Sequence, residues 1–465
     1  MNFKTITSQD IEKLIQFTSH DRVLVAERIH EDFTHDEMTE YGTFSPDVVV
    51  EALSADEISS IMKYANENNI AVTPRGAGTG LCGACVPIYG GIVLSTAKMN
   101  HVLEIDKSTM TVITEPGVLL MELAKTCLNE GLLYPPDPGE KSATVGGNVM
   151  TNAGGMRAVK YGVTRDYVRG MEAVLPNGEI VTFGGRLSKN SSGYSLKDLL
   201  IGSEGTLAVV TKLYLKVIPA PKRMTSLLIP FDNIENCLAA VPLVMGSPEI
   251  PTTLEFMERE VILDAQEYLG KKFPDNESDA YLMVSFNGNS KKEIAQHYEY
   301  VAQVCLQNGA KDVFISDTEE RQESIWSTRG AFLEAIKSST PSMDECDVVV
   351  RIDKVCEFLG YIKSLSKEYG IRIRSFGHAG DGNLHVYLCQ DDLDQERWAY
   401  LRELLMKLMY EKAAELNGMV SGEHGIGHAK KEFLLESLGP EQIALMQGIK
   451  KVFDPKGILN PGKVI

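Results

Sequence analysis

Tyr134-Pro135-Pro136-Asp137-Pro138-Gly139 is followed by Thr144-Val145-Gly146-Gly147-Asn148 and then by Thr151-Asn152-Ala153-Gly154-Gly155. Average glycine usage is about 7%, so three glycine clusters in so short a run mean that backbone must approach something closely. A second run lies upstream, Pro74-Arg75-Gly76-Ala77-Gly78-Thr79-Gly80-Leu81-Cys82-Gly83. Its glycines could let backbone amides close around a pyrophosphate. The spacing, however, is GxGxG, and the next element, Ile92-Val93-Leu94-Ser95, reads as a strand. A Rossmann fingerprint needs strand, GxGxxG and helix in that order, so a nicotinamide Rossmann site is disfavoured.

Outward from these loops the pattern alternates. Ile11, Leu14 and Ile15 fall at helical spacing and a charged stretch follows, which predicts a helical prefix over 1–42. Asp47-Val48-Val49-Val50 and Ile70-Ala71-Val72-Thr73-Pro74 read as strands. Between them Ser54-Ala55-Asp56-Glu57 is a capping box for a helix whose face continues through Ile58, Ile61, Met62 and Ala65. Residues 171–175 and 179–183 are strands joined by Pro176-Asn177-Gly178, a hairpin turn signal. After Pro219-Ala220-Pro221 the texture changes. Strands are expected at 224–229, 281–286, 313–315, 371–376 and 384–389, and helices at 234–243, 291–307, 319–338, 353–369 and 395–416. Mixed sheets with alternating helices suit a substrate domain.

Composition bounds the function classes. A chain of 465 residues has room for two or three domains. A formal net charge of −18 argues against nucleic acid or an anionic membrane surface as partner. It leaves room for an anionic substrate, because a local arginine outweighs a distant field. No apolar run approaches the roughly 20 residues that span a bilayer, and Met1-Asn2-Phe3-Lys4-Thr5 is too polar to open a signal peptide. The eight cysteines form no iron–sulfur run. Cys82-Gly83-Ala84-Cys85 reads either as a redox pair or half a zinc site, or as two small residues packed in a tight loop. A reducing, cytoplasmic location is the expectation.

Two further stretches carry chemistry. Gly377-His378-Ala379-Gly380-Asp381-Gly382-Asn383-Leu384-His385 sets two of the nine histidines in a glycine-rich segment, and Ser421-Gly422-Glu423-His424-Gly425-Ile426-Gly427-His428 sets two more. Two histidines and a carboxylate with open positions are how a catalytic divalent metal is held. The alternative is a pair of glycine-rich turns whose histidines satisfy backbone groups. Asp381 and Asn383 read as turn residues, and His428 as a loop histidine.

Taken in order, PRGAGTGL (74–81), TEPGV (114–118), PPDPG (135–139), TVGGNVMTNAGG (144–155), YGVTRDYV (161–168), IGSEGTLAVVT (201–211) and NPGK (460–463) resemble the FAD-linked oxidases of the vanillyl-alcohol oxidase type. Within them the chain is similar to the D-2-hydroxyacid branch, which takes D-lactate, glycolate or D-2-hydroxyglutarate. The resemblance implies an α+β fold. It would comprise an N-terminal prefix (1–42), a PCMH-type FAD-binding domain of two α/β subdomains (43–220), a mixed-sheet substrate or cap domain (221–416) and a C-terminal segment returning to the flavin (417–465). It implies FAD contacts from Pro74, Arg75, Gly76, Ala77, Gly78, Thr79, Gly80 and Leu81, from Pro138, Gly139, Thr144, Gly146, Gly147, Asn152, Gly154 and Gly155, and from Gly162, Glu204, Gly205, Val209 and Asn460. Relatives that tether FAD use a histidine in the first loop. Ala77 and Thr79 stand there instead, so the FAD is expected to be non-covalent.

By the same resemblance His378, His385 and Glu423 match metal ligands for Zn2+, Fe2+ or Mn2+, His424 the catalytic base and Arg329 the substrate-carboxylate arginine. Relatives that take a dicarboxylate carry further polar residues after that arginine and a second cation beyond it. This chain has Ala331-Phe332-Leu333 and Asp344-Glu345-Cys346-Asp347 there, which favours a small monocarboxylate such as D-lactate. The expected reaction passes hydride from the substrate Cα to flavin N5. Chains of this compact type resemble the lactate dehydrogenase subunits that work with an electron-transferring flavoprotein. Such complexes use NAD and ferredoxin through the flavins of the flavoprotein's α and β subunits, in flavin-based electron confurcation, the reverse of bifurcation. The alternatives are a glycolate dehydrogenase flavin subunit and a non-catalytic FAD-binding electron-transfer subunit.

Overall fold

Val48-Val49-Val50 is buried throughout, as a strand covered on both faces must be. In the computed structural model, which describes residues 2–465, this run starts the first sheet. Val23–Leu24 (β1), Val48–Glu51 (β2), Val72–Arg75 (β3) and Ile92–Ser95 (β4) lie in the order β1-β2-β4-β3. β2 and β3 run parallel to β4, while β1 is antiparallel to β2. The crossover helix Ala55–Asn68 begins where Ser54 Oγ accepts from the Glu57 amide at 3.2 Å, and it buries Ile58, Ile61, Met62 and Ala65. It ends on left-handed Asn69. Its apolar face meets Leu14, Val50, Val72, Leu94, Ile458 and Leu459 in one core. The C-terminal segment joins the edge of this sheet: Val72 N–H donates to Ile458 O at 2.8 Å and Asn460 N–H to Val72 O at 2.7 Å.

Val102–Asp106 (β5), Thr111–Thr114 (β6), Val168–Val174 (β8), Ile180–Gly184 (β9) and Val209–Lys216 (β10) form an antiparallel sheet in the order β5-β6-β10-β8-β9. Leu132–Leu133 (β7) and Ile218–Pro219 (β11) make a short ribbon. The turn at Pro176-Asn177-Gly178 joins β8 to β9 as its residues predict, with Gly178 at φ +89°.

Three elements differ from expectation. Within 2–42, only Ser8–Phe17 is an α-helix, and the short strand β1 and four 3-10 turns follow it. The charged stretch has too few apolar residues at helical spacing, and its polar groups act on the first glycine loop instead. Residues 144–151 are not loop: Val145–Thr151 is a helix, capped where Thr144 Oγ1 accepts from the Gly147 amide at 3.2 Å. The expected helix over 319–338 is two, Glu319–Gly330 and Phe332–Ser338, broken at Ala331.

Contacts group the chain into two units. One comprises Met1–Ala153, Val163–Ala220 and Glu423–Ile465, and the other Gly154–Gly162 and Pro221–Gly422. The second unit is built on a seven-stranded antiparallel sheet. Its strands are Arg223–Phe231 (β12), Thr253–Glu258 (β13), Ala280–Gly288 (β14), Phe314–Ser316 (β15), Met343–Val349 (β16), Arg372–His378 (β17) and Asn383–Cys389 (β18). They lie in the order β15-β12-β14-β13-β17-β18-β16. No helix among the described residues is long and apolar enough to cross a membrane.

Candidate active site

The first unit carries the glycine loops. β3 ends at Arg75, and the loop is held open by that side chain. Its Nη2 donates to Asp32 O at 2.5 Å, and its Nη1 to His35 O at 2.9 Å and Cys85 Sγ at 3.2 Å. Gly78 turns at φ +82°, and a Cβ there would lie 2.0 Å from the Arg75 guanidinium. A Cβ on Gly76 would lie 2.2 Å from Thr144 Oγ1, so the two glycine segments touch at a point where only glycine fits. Asp36 accepts from the Gly83 amide at 2.6 Å, and burial pushes its carboxyl up to about 6. None of the amides of residues 76–81 donates a hydrogen bond among the described residues. A row of unspent N–H groups in a turn suits a pyrophosphate.

Beside this loop Glu204, in a left-handed conformation at φ +53°, is buried. It accepts from the amides of Ile426 and Gly427 at 2.6 and 2.7 Å, and burial raises its carboxyl to about 6. It therefore fastens the loop that carries Glu423 and His424, whose Oε1 and Nε2 are 3.8 Å apart. Asn460 Nδ2 donates to Ala84 O at 2.9 Å and Glu204 O at 2.7 Å, which ties the C-terminal segment to the same place. Cys82 and Cys85 carry free thiols, both raised in pKa chiefly by burial.

The second unit carries a polar sheet face. Residues directly opposite across strands share a face, as do residues two apart along one strand. Glu255 on β13 is opposite His378 on β17, and Phe376 is opposite His385 on β18. Asp347 and Glu345 on β16 are opposite His385 and Tyr387. One face thus collects Glu255, His378, His385, Glu345, Asp347 and Tyr387, while Leu384, Val386 and Leu388 turn the other way into the core.

Each imidazole is backed by a buried carboxylate. His378 Nδ1 is 2.7 Å from Glu255 Oε1, and His385 Nδ1 is 3.2 Å from Glu345 Oε1. Protons on both Nδ1 atoms leave both Nε2 lone pairs facing each other, 3.5 Å apart. Two nitrogens each about 2.0–2.1 Å from a tetrahedral metal would be separated by about 3.4 Å. The pair therefore fits the bite of one ion, with the outer carboxylates that such histidines use. Burial pushes the Glu255 carboxyl up, but its contacts with His378 and Arg329 outweigh it and hold it below its ordinary range.

Arg329, near the end of helix Glu319–Gly330, is 8% exposed and reaches the same face. Its Nε and Nη2 lie 2.8 and 2.7 Å from Glu255 Oε2. Its guanidinium stacks over Phe376 at 4.6 Å and Phe332 at 5.6 Å. Asp347 Oδ1 accepts from Asn383 Nδ2 at 2.8 Å, and its Oδ2 from Ser421 Oγ and the Gly422 amide at 2.8 and 3.0 Å.

Two families match this chain: the FAD binding domain over residues 46–184 and the FAD linked oxidases, C-terminal domain, over 220–464. A D-lactate dehydrogenase of Anaerostipes hadrus is 52% identical over 99% of this chain and 98% of its own. The chain belongs to the FAD-linked oxidase family. It is also 42% identical to a D-lactate dehydrogenase of Archaeoglobus fulgidus, over 90% of this chain and 91% of that one. The solved structure of p-cresol methylhydroxylase superposes with a TM-score of 0.80 over 99% of this chain and 98% of that one, at 16% identity, which shows the shared fold.

Within this FAD-linked oxidoreductase, residues 74–81, Pro138, Gly139, Thr144, Gly146, Gly147, Asn152, Glu204, Gly205, Val209 and Asn460 lie in the first unit, with Glu423 and His424. Gly154, Gly155, Gly162, Arg329, His378 and His385 lie in the second. Glu255 escaped the sequence reading, and Glu345 and Asp347 were read there only as the absence of a second cation, not as partners of His385 and Asn383. Thr253–Glu258 and Met343–Val349 are strands whose acidic residues face inward. Buried carboxylates break the apolar-in pattern by which strands are recognised, and the histidines and arginine that pair with them come from distant sequence.

Proposed function

We propose that this chain is an FAD- and metal-dependent D-lactate dehydrogenase that produces pyruvate. The observation that carries the metal part is the pair of buried imidazoles with Nε2 atoms 3.5 Å apart, each backed by a carboxylate. The relatives named D-lactate dehydrogenase support the substrate. The loops at 74–81 and 138–155 would hold a non-covalent FAD, which would supply the hydride acceptor. His378, His385 and Glu423 would hold a divalent ion, which would supply the Lewis acidity that makes a substrate hydroxyl easier to deprotonate. His424 takes that hydroxyl proton, a task suited to an imidazole near neutral pH. Arg329 binds the substrate carboxylate through Nη1, because its other edge is held by Glu255. Phe332 and Phe376 close the space around it without a second cation, which suits a monocarboxylate.

The electrons leave through an electron-transferring flavoprotein, where they merge with electrons from reduced ferredoxin to reduce NAD. This part rests on the sequence resemblance. Its test is direct: D-lactate-dependent NAD reduction by the purified chain requires both the flavoprotein and reduced ferredoxin, and NAD reduction by the chain alone contradicts it. For the base, His424→Ala should keep its FAD yet lose D-lactate-dependent flavin bleaching under anaerobic conditions. Normal bleaching in that variant removes His424 from the role.

A further inference from the structure

We infer that Glu255 is a positioning residue that couples the metal clamp to the substrate arginine. The inference rests on the reading of His378 and His385 as metal ligands and of Arg329 as the carboxylate-binding group. Glu255 is fully buried, so no solvent shares its oxygens. Each oxygen has a separate partner: Oε1 is 2.7 Å from His378 Nδ1, and Oε2 is 2.8 and 2.7 Å from Arg329 Nε and Nη2.

The two contacts do different things through one group. The first keeps the proton on Nδ1 and turns the Nε2 lone pair of His378 toward His385. The second occupies one edge of the guanidinium, so only the Nη1 side is available to a substrate. The stack on Phe376 at 4.6 Å and on Phe332 at 5.6 Å fixes the plane of that edge. The strand pairing makes this rigid, because Glu255 and His378 sit directly opposite each other on β13 and β17. Whatever displaces the carboxylate moves ligand and arginine together.

The test uses FAD-loaded protein stripped of metal and titrated with Zn2+ against a chromophoric chelator, beside D-lactate kinetics on the reloaded enzyme. Glu255→Gln removes the charge from both partners and turns one contact into donor against donor. The expected result is a 10- to 100-fold loss of Zn2+ affinity, of the order seen for lost outer-shell partners, together with a KM for D-lactate raised about tenfold. FAD absorbance should be unchanged, and kcat should move less than KM. Glu255→Asp keeps the charge but is too short to span both partners, so it should recover metal affinity partly and KM not at all. It also carries the test if the amide variant fails to fold. A change confined to the melting temperature, or a change in only one of the two affinities, overturns the coupling. If the wild-type protein takes up Zn2+ and Glu255→Gln takes it up equally well, the coupling alone is wrong. If the wild-type protein binds no metal, the metal reading itself falls and the coupling with it.

Discussion

Gly76→Ala offers a sharp test of how the FAD-binding unit is assembled. The added methyl would lie 2.2 Å from Thr144 Oγ1 and 3.3 Å from Thr144 Cβ. The first distance is impossible and the second is tolerable, so the hydroxyl is the obstacle. Thr144 cannot simply swing away, because Oγ1 caps helix Val145–Thr151 through the Gly147 amide. Forcing one extra carbon into packed structure costs about 1–3 kcal/mol. If the loop relaxes to relieve the strain, the cost appears as FAD affinity lowered about 5- to 150-fold. Thr144→Ala alone should cost about 1 kcal/mol through the lost cap. In the double variant the clash is gone, so its FAD dissociation constant should stay within about threefold of that of Thr144→Ala. The assay is FAD titration of the apoprotein by flavin fluorescence for all four proteins. Effects that add within about 0.5 kcal/mol, the behaviour of sites that do not touch, would refute the contact between the two glycine segments.

Other perturbations follow from the same geometry. Glu204→Gln keeps the shape but cannot accept from both the Ile426 and Gly427 amides, so a buried N–H is left facing a donor. The expected cost is about 1–3 kcal/mol, read as a lower melting temperature, and an unchanged melt contradicts the anchoring role. His428 packs edge-on between Tyr41 and Phe44, and burial, with Lys463 adding, lowers its pKa to about 4. The unfolded chain then binds a proton that the folded chain refuses between pH of about 6.5 and 4, so this contribution to stability is lost as pH falls through that window. His428→Phe should gain on the wild type in melting temperature from pH 7 down to 4.5, whereas parallel curves would show that His428 does not titrate as described. Phe376→Leu removes the face on which Arg329 stacks at 4.6 Å. A cation–π contact of about 0.5–2 kcal/mol predicts a KM for D-lactate raised about 2- to 30-fold, and an unchanged KM would separate the stack from substrate binding.

The α+β fold, the family and its flavin chemistry were legible in the sequence because they rest on local, ordered signals. Ser54 followed by Glu57 caps a helix wherever it occurs, and Pro176-Asn177-Gly178 turns a hairpin without help from distant residues. The glycine loops are legible for a similar reason, since Gly76 and Gly78 sit where a side chain would collide with Thr144 or Arg75. The 3-10 course of the N-terminal stretch was hidden because Asp32, His35 and Asp36 are organised by Arg75 and Gly83, some forty residues away. The partners of Glu255, Glu345 and Asp347 were hidden for a deeper reason. A carboxylate in a strand normally faces water, and these three face inward only because His378, His385, Arg329, Asn383 and Ser421 meet them there. Patterning along one strand cannot show a partner that arrives from another.

The most direct measurement is an anaerobic titration of the FAD-loaded protein with each enantiomer of lactate while the oxidised flavin absorbance is followed. The account predicts that D-lactate bleaches the flavin in proportion to the enzyme present, that L-lactate does not, and that a chelator abolishes the bleaching until a divalent metal is returned. Bleaching by both enantiomers, by neither, or by D-lactate in thoroughly metal-free protein would contradict it.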